Sequence, residues 1–575
     1  MFAVASTVLV LGQPAAQKSD DATAIHVLNR LGFGPTPTAI ERVKRMGVRA
    51  YVEEQLHPQR IDDAAMTPRL SGFTTLTRST RDLAEDYFLP AMMERREQQR
   101  RAAQNGGPPT DAAAPDTPKR TPEQMELARM QRTVIGELSQ QRILRAAYSE
   151  RQLEEVMVDF WMNHFNVFVG KGQVRLYLTE YERDAIRPRV LGKFRDLLGA
   201  TAASPAMLFY LDNWQSAAAP DAPTSAQADH MGAQPRRRPL MRDPNAIRRP
   251  GQSPRPFPAP EAADSAAANA NGAQPALMRR RGLNENYARE LMELHTVGVD
   301  GGYTQKDVQE VARAFTGWTI AAPRLGGTYR FEPRLHDDGE KVVLGHRIKA
   351  GGGRKDGEEV LDLLARHPST ARFISTKLAR RFVADDPPSA LVARAADRFK
   401  ATDGDIREVV RVIVTSPEFL ASQRAKTKNP FEFVVSAVRV TGLDVTNALP
   451  LVQSLRDLGM PIYGAQPPTG YSDKAEAWVN SGALLNRMNF AVALTSGQMR
   501  APFDVAQGAL SASRGALRGG SIPYRTTTPD DVRQELFASA LGNDVSESTS
   551  ATVAKASTAA QTVALTLGSP EFQKR

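Results

Sequence analysis

The sequence contains no cysteine among its 575 residues. This absence excludes disulfides, thiolate metal sites and a cysteine nucleophile. A divalent metal cofactor would need His, Asp, Glu or Asn ligands. No apolar run approaches the roughly 20 residues that span a bilayer, so we expect no transmembrane segment in the mature chain.

Familiar catalytic motifs are also missing. The chain has no Gly-x-Ser-x-Gly elbow, no phosphate-binding Gly-x-x-x-x-Gly-Lys loop and no His-Glu-x-x-His. The net charge of +10 includes arginine runs at 236–238, 248–249 and 279–281, with no interleaved aromatic residues. Because single-stranded nucleic acid is bound on aromatic stacking platforms, specific nucleic-acid recognition is not supported.

Two low-complexity segments divide the chain. Residues 98–122 are rich in Arg, Gln, Gly and Pro and predict a flexible loop, and residues 216–280 predict a disordered insertion. Folded parts are expected on either side, an N-terminal helical part at 22–215 and a central part at 281–498. A C-terminal helical part at 499–575 would follow a flexible linker.

The first sixteen residues resemble a signal segment. Residues 3–11 are apolar and are followed by small residues that suit a signal peptidase. No basic residue precedes this run, which indicates a signal whose true start lies further upstream; the alternative is a buried N-terminal segment. We expect a periplasmic or secreted protein.

Helical periodicity dominates the rest of the sequence. Apolar spacing predicts helices at 123–148, 152–169, 181–198 and 284–297, among others. Ser-Pro pairs at 204, 416 and 569 each follow an apolar helix and predict the start of the next one. A small β-hairpin is expected near 328–348, pairing 329–331 with 342–344. The fold class is therefore mainly α, with repeated helical hairpins in one or two packed bodies.

Several stretches resemble one family of bacterial proteins. They include HVLNRLGFG at 26–34, FWMNHFN at 160–166, YERDAIRP at 181–188 and SPAMLFYLDN at 204–213. The most distinctive stretch is GLNENYARELMELHTVGVDGGYTQKDVQEVARAFTGW at 282–318, and PPTGY at 467–471 adds to the match. With these residues the chain is identified as similar to the DUF1800 family, whose function is unknown.

The resemblance implies little chemistry. Many members of the family look exported, and they are often encoded beside a second uncharacterised family, DUF1501, which resembles sulfatases and phosphatases. The resemblance implies a protein partner of the DUF1501 type and gives no catalytic residue to carry over.

Three polar residues lie on apolar helix faces. His164 falls in the middle of one such face, and Asn284 and His295 lie almost in line on another. Each needs a hydrogen-bond partner, since an unpaired buried polar group costs roughly 1–3 kcal/mol. They could converge on each other or on a shared carboxylate, as a structural polar network or as the floor of a site. A histidine satisfied by a nearby carbonyl is the plainer alternative.

The remaining candidates are acidic residues and one further histidine. Glu285 belongs to an acidic helix arc whose i, i+4 spacing favours ion pairs. Glu290, on the same arc, could supply an oxygen ligand to a metal with His164 and His295. His336, in His-Asp-Asp-Gly, favours a turn and could alternatively project into a cleft.

Two hypotheses for function follow. The first is an exported accessory or scaffold protein acting with a partner, such as the sulfatase-like DUF1501 type. The alternative is a hydrolase or oxidoreductase, metal-dependent or not, with a site built from His164, Asn284, Glu285, His295 and His336.

Overall fold

The computed structural model describes residues 20–104, 121–224, 282–499 and 528–575. Helices dominate all four ranges, as the sequence predicts. The first two ranges contain α1 (Asp21–Leu31), α2 (Pro37–Met46), α3 (Val48–Gln55), α4 (Met66–Leu70), α5 (Thr80–Leu83), α6 (Leu89–Gln104), α7 (Pro122–Tyr148), α8 (Gln152–His164), α9 (Val174–Glu180), α10 (Phe194–Ala202) and α11 (Pro205–Tyr210).

The third range contains the β-structure between two groups of helices. In chain order these are α12 (Glu285–Glu290), α13 (Gln305–Ala314), β1 (Trp318–Ile320), β2 (Tyr329–Phe331), β3 (Lys341–Val343), β4 (His346–Ile348), α14 (Arg354–Arg366), α15 (Pro368–Phe382), α16 (Ser389–Ala401), α17 (Ile406–Val414), α18 (Pro417–Leu420), α19 (Pro430–Thr441), α20 (Leu449–Asp457) and α21 (Ser481–Ser496). The last range adds α22 (Pro529–Leu541), α23 (Glu547–Val553) and α24 (Ala559–Gly568).

Many helices begin with a capping residue followed by proline. Ser204 and Ser416 cap α11 and α18 in this way, which confirms two of the three predicted Ser-Pro joints. At the third, Ser569 accepts a hydrogen bond from the backbone of Phe572, but only a turn follows. Proline fits the first helical position because its missing N–H would have had no partner there.

Two predicted helices end earlier or are interrupted. The helix predicted at 152–169 ends at His164, although Phe165 and Val167 remain buried outside it. Because these two residues are buried although they are not helical, the apolar pattern of the sequence continues past His164. The pattern therefore does not show where the helix ends. The helix predicted at 181–198 is wrong in its middle: a π-helical segment at Tyr181–Ile186 is followed by a short 3₁₀ turn containing Pro188. Proline cannot donate the backbone hydrogen bond that a continuous helix needs.

The small β element is confirmed, but the predicted pairing is wrong. Strand β2 pairs with β1, in antiparallel register from Trp318 opposite Phe331. Strand β3 pairs with β4 in a second two-stranded sheet. The segment between β2 and β3 is held by buried polar contacts of its own, described below, and it does not form a hairpin tip.

Parts of both predicted low-complexity segments are described. Residues 98–104 continue α6, whereas 105–120 lie outside the described residues. Residues 216–224 pack against the loop after β2, since the backbone N–H of Ala218 donates to Leu335 and that of Asp338 donates to Pro223. The remainder of the predicted insertion, the signal segment and the linker before α22 fall on 225–281, 1–19 and 500–527, outside the described residues.

Buried apolar side chains from all four described ranges form one contiguous cluster. It joins the beginning of the chain to its end: α1 contacts α22, and α21 contacts α24. Nε2 of His26 in α1 also donates to the backbone oxygen of Phe419 at 2.8 Å. Within the described ranges, no helix combines the length and apolar character required to cross a membrane.

Candidate functional site

Two of the predicted site residues, His164 and His295, contact each other in the core. His164 ends α8, and His295 ends the π-helical segment Leu291–His295 that follows α12. The centroids of their rings lie 6.1 Å apart. Nε2 of His164 donates to the backbone oxygen of His295 at 3.1 Å, which leaves Nδ1 of His164 with a free lone pair. The structure therefore brings these two side chains together.

Both imidazoles are held neutral by burial. Burial and the nearby Lys377 lower the pKa of His295 to about 3 and lower that of His164 well below its usual range. Nδ1 of His164 and Nε2 of His295 have no hydrogen-bond partner in the described part of the chain. Neutral imidazole is the form that binds metals. No group of three or more His, Asp or Glu side chains suited to a metal occurs among the described residues, however.

The other candidates from the same helix have different contacts. Asn284 caps α12: its Oδ1 accepts from the N–H of Tyr287 at 3.2 Å, and its Nδ2 donates to the backbone oxygen of Leu211 at 2.7 Å. Glu285 accepts hydrogen bonds from two glutamines of α13. Glu290 is half-buried, and burial raises the pKa of its carboxyl. These contacts make Asn284 and Glu285 part of the local architecture of α12.

His336 lies in a separate buried cluster. Its Nδ1 is 2.8 Å from the backbone oxygen of Thr316, and its Nε2 is 3.2 Å from Oδ2 of Asp356. Nζ of Lys341 donates to the same Asp356 oxygen at 2.5 Å. The side chain of His336 is fully buried, so it neither forms an exposed turn nor projects into an open cleft. The cluster fixes the loop between the two small sheets.

A cleft of about 670 Å³, counting its open mouth, gathers polar side chains that the sequence did not single out. We call it the Asp159 cleft. Its walls come from α7, α8, α15, the start of α19 and the loop that follows α20. The polar and aromatic residues that line it include Arg142, Asp159, Phe160, Asn163, Asn166, Arg381, Phe431, Tyr463, Tyr471 and Asp473.

The centre of the cleft is an arginine–carboxylate contact. Nη2 of Arg142 donates to Oδ1 of Asp159 at 2.6 Å. The guanidinium of Arg142 also lies 5.5 Å from the ring centroids of both Phe431 and Tyr463. Burial raises the pKa of Asp159, although Arg142 and Arg381 both oppose this effect. Asp159 is thus a carboxylate of increased basicity that remains in contact with the cleft.

Arg381 presents unused donors on the other side of Asp159. Its Nη2 lies 3.8 Å from Oδ2 of Asp159, and its Nη1 pairs with Glu432. Nε and Nη2 of Arg381 have no hydrogen-bond partner within the described ranges. Burial would raise the pKa of Glu432, but Arg381 and Arg575 lower it to about 2. Glu432 therefore remains ionised and fixes the position of the Arg381 guanidinium.

Behind Arg142 lies a second, fully buried carboxylate. Glu182, in the π-helical segment after α9, accepts from Arg187 at 3.2 Å and from the hydroxyl of Tyr463 at 2.5 Å. Arg187 also pairs with Glu155 at 2.6 Å. Burial would raise the pKa of Glu182, but Arg142 and Arg187 lower it overall. Tyr463 has a φ of 56°, an uncommon conformation for a residue other than glycine, and this conformation lies at the cleft wall.

Two asparagines of the FWMNHFN segment hold the loop that closes one side of the cleft. Asn163 accepts from the N–H of Tyr471 at 2.7 Å and donates to its backbone oxygen at 2.9 Å. Asn166 donates to the backbone oxygens of Ala465 and Pro467 at 3.0 and 2.9 Å. At Gly470, φ is +72° and a Cβ atom would lie 2.4 Å from the backbone of Asn163, so only glycine fits.

Asp473 adds a further carboxylate to the cleft, and its charge acts on the buried amine of Lys377. Asp473 lines the cleft, and its carboxylate makes no ion pair with any residue that the structure describes. Burial lowers the pKa of Lys377, and the charge of Asp473 opposes that shift. The cleft therefore combines a basic carboxylate, a second carboxylate and unused guanidinium donors. This combination can transfer protons and stabilise negative charge on a bound molecule.

Sequence reasoning missed these residues because they come from helices far apart in the chain. One signal could have found two of them. Asp159 is the single charged residue of the apolar stretch 156–162, and Glu432 is the single charged residue of 430–438. A lone carboxylate inside an apolar helix must find a buried partner.

Comparisons with known proteins add one relationship. A family model described as "Protein of unknown function (DUF1800)" matches residues 26–574. No curated protein and no solved structure matches the chain. Since the family model covers nearly the whole chain, this protein belongs to the DUF1800 family.

Proposed function

We propose that the protein is a hydrolase and that the Asp159 cleft is its active site. The observation that carries the proposal is the carboxyl of Asp159, whose pKa is raised by burial while it still lines an open cleft. Perturbed carboxyls in clefts are typical of groups that transfer protons in catalysis. No metal is required for this step.

Asp159 would act as the general base. Arg142 engages Oδ1 at 2.6 Å, which orients the carboxylate and leaves Oδ2 for a water molecule. A raised pKa makes the carboxylate a stronger base, and proton transfer of this kind contributes about 10²–10⁴ in rate. Oδ2 would take a proton from water as the water oxygen bonds to the carbon, phosphorus or sulfur of the ester. The protonated Asp159 would then return that proton to the alcohol oxygen as the ester bond breaks.

The substrate class follows from the other cleft residues. The unpartnered Nε and Nη2 of Arg381 suit a carbonyl, phosphoryl or sulfuryl oxygen on which negative charge develops. Phe160 and Phe431 supply apolar walls, and Asp473 supplies a further acceptor. A polar ester therefore suits these groups better than a purely apolar molecule.

The test is a screen of purified protein against chromogenic carboxylate, phosphate and sulfate esters. We expect turnover on one class and a decrease of about 100-fold or more in Asp159→Asn. Asp362→Asn is the matched control, because Asp362 also pairs with an arginine but lies on the surface, away from the cleft. Equal turnover by wild type and Asp159→Asn, or no turnover on any class, would contradict the proposal.

A second candidate function is that of an accessory or scaffold protein, supported by one surface feature. Val479, Leu484, Leu485 and Val492 are about half exposed or more, and three of them lie on α21. Clustered exposed apolar residues are typical of protein-binding surfaces. A partner of the sulfatase-like DUF1501 type remains our proposal for this role.

The scaffold role has a direct test. Wild-type protein should retain a purified DUF1501 protein on a column, and Leu485→Glu should reduce the retained amount at least tenfold. Val299→Glu is the control, since Val299 is equally exposed elsewhere. If all three proteins retain the same amount of the DUF1501 protein, the exposed apolar residues of α21 do not bind it.

We also propose that the protein is exported, on the basis of the apolar residues 3–11 and the small residues after them. Fractionation of the native cells would test this. Recovery of the chain from the periplasm or medium, with its N-terminal residues removed, is the expected result, and recovery of the intact chain from the cytoplasm would contradict it.

A further inference from the structure

A second polar site lies between α1 and the C-terminal residues, and Arg381 connects it to the Asp159 cleft. Three guanidinium groups, from Arg30, Arg381 and Arg575, are buried near the carboxylate of Glu432. Arg381 and Arg575 pair directly with Glu432. Arg30 makes no ion pair with a residue that the structure describes. Arg381 also lies 3.8 Å from Asp159, so Glu432 is a direct partner of Arg381 and Arg575 but not of Arg30.

Arg30 is the least compensated of the three. Its side chain is fully buried, and Nη2 donates to the backbone oxygen of Ser422 at 2.6 Å. Nε and Nη1 of Arg30 have no partner, and the same two atoms of Arg575 have none, within the described ranges. Arginine does not lose its proton in proteins. Glu432 and Asp385 act on Arg30 only from a distance. Buried positive charge without a directly paired counter-charge is costly, which indicates that an anion belongs here.

A cavity of about 470 Å³, including its mouth, lies beside these groups. Arg575 lines it together with Arg424 and Lys574. The carboxylates of Asp544 and Glu571 line it too, so cationic side chains outnumber acidic ones by three to two. Arg424 is already paired with Asp544 at 2.8 Å. The unpartnered Nε and Nη1 of Arg575 are the donors that remain for a ligand.

The same cavity also contains two unused acceptors. His26 and Asn29 line it, and both are buried. Since Nε2 of His26 donates to a backbone carbonyl, Nδ1 is a bare acceptor, and burial lowers the pKa of this ring to about 4. Nδ1 of His26 and Oδ1 of Asn29 lack partners in the described part of the chain. A ligand that fits must therefore donate a hydrogen bond as well as carry negative charge.

We propose that this cavity binds hydrogen phosphate. Its oxyanion oxygens would accept from Arg575, and its O–H would donate to Nδ1 of His26 or Oδ1 of Asn29. Arg30 contributes positive potential from behind the cavity. Sulfate has the same shape but carries no O–H at neutral pH, so it leaves both acceptors unpaired. A site that hydrogen-bonds a ligand's O–H rejects an analogue that lacks it.

Thermal unfolding of the full chain in sodium phosphate, sulfate or chloride at matched ionic strength tests this. Phosphate should raise the Tm in proportion to the logarithm of its concentration above Kd, by about 2 °C at 100 times its Kd. Sulfate should bind about tenfold more weakly or worse. Equal effects of the three salts on the wild-type protein would overturn the proposal, whatever the variants show.

Two variants locate the site. Arg30→Met should weaken phosphate binding about tenfold by removing a nearby charge. Asn29→Leu should reduce the preference for phosphate over sulfate by removing an acceptor. Arg487→Met is the control, because Arg487 is equally buried but donates to Gln573 and to the backbone of Lys428. Phosphate affinity unchanged by both site variants, or weakened equally in the control, would place any binding elsewhere.

Discussion

Removal of the charge on Glu182 should destabilise the fold markedly. This carboxylate is completely buried, accepts from Arg187 and Tyr463, and lies 4.0 Å from Nη1 of Arg142. Glu182→Gln keeps the size of the side chain but removes the negative charge. Removal of one partner from a buried ion pair typically costs about 3–5 kcal/mol, because the other charge remains buried.

The structure places Glu182→Gln at the lower end of that range. Arg187 would still pair with Glu155 at 2.6 Å, and Arg142 would still pair with Asp159 at 2.6 Å. Each arginine therefore loses only one of two carboxylates. We expect a loss of about 3 kcal/mol in the free energy of unfolding, measured by urea denaturation at neutral pH.

The effect should also depend on pH. The pKa of Glu182 is lower in the folded protein than its ordinary value of 4.5, so its stabilising effect is present above that value. This effect is lost as the pH falls through the folded pKa, where wild type and Glu182→Gln should converge. Glu418→Gln is the control, since Glu418 pairs with Arg394 at the surface and should cost less than about 1 kcal/mol. A cost for Glu182→Gln no larger than the control would refute the reasoning.

Three further predictions concern the two histidines and the loop beside the cleft. The pKa of His295 is about 3 in the folded protein and 6.5 in the unfolded chain, so stability should fall as the pH drops below 6.5. In thermal unfolding measurements, His295→Asn should make the Tm depend less on pH. The same pH dependence in the variant as in the wild type would contradict this prediction. If His164 and His295 hold a divalent metal, elemental analysis of untagged protein should find it in the wild type and not in the folded double alanine variant; metal-free wild type would exclude that role. Asn166→Ala removes hydrogen bonds to Ala465 and Pro467 and should lower the free energy of unfolding by about 1–3 kcal/mol, with faster hydrogen exchange in residues 465–471. Unchanged exchange would show that other contacts hold this loop.

Local features of the fold were predictable from the sequence. Apolar periodicity and Ser-Pro caps located most helices, because both depend on neighbours within a few residues. The contact between His164 and His295 could also be anticipated from the sequence, because each histidine occupies an apolar helix face. Helix ends were less predictable: Phe165 and Val167 are buried in non-helical backbone, and burial looks the same in sequence whether or not the helix continues.

The Asp159 cleft was not predictable in the same way. Its contacts join residues far apart in the chain, as when Tyr463 donates to Glu182. Arginines and carboxylates are common, and the sequence does not show which of them will be buried together. The lone Asp159 in an apolar helix was a usable signal, but its partner Arg142 lies on a helix whose other charges are mostly exposed.

The most direct test of the account is the pH dependence of kcat/KM for the ester that the screen identifies. With Asp159 as the general base, activity should fall as the pH drops, with an apparent pKa above the ordinary aspartate value of 3.8. Residual activity in Asp159→Asn should lack this acidic limb. The same limb in the asparagine variant would show that another group takes the proton, and that the Asp159 cleft is not the catalytic centre.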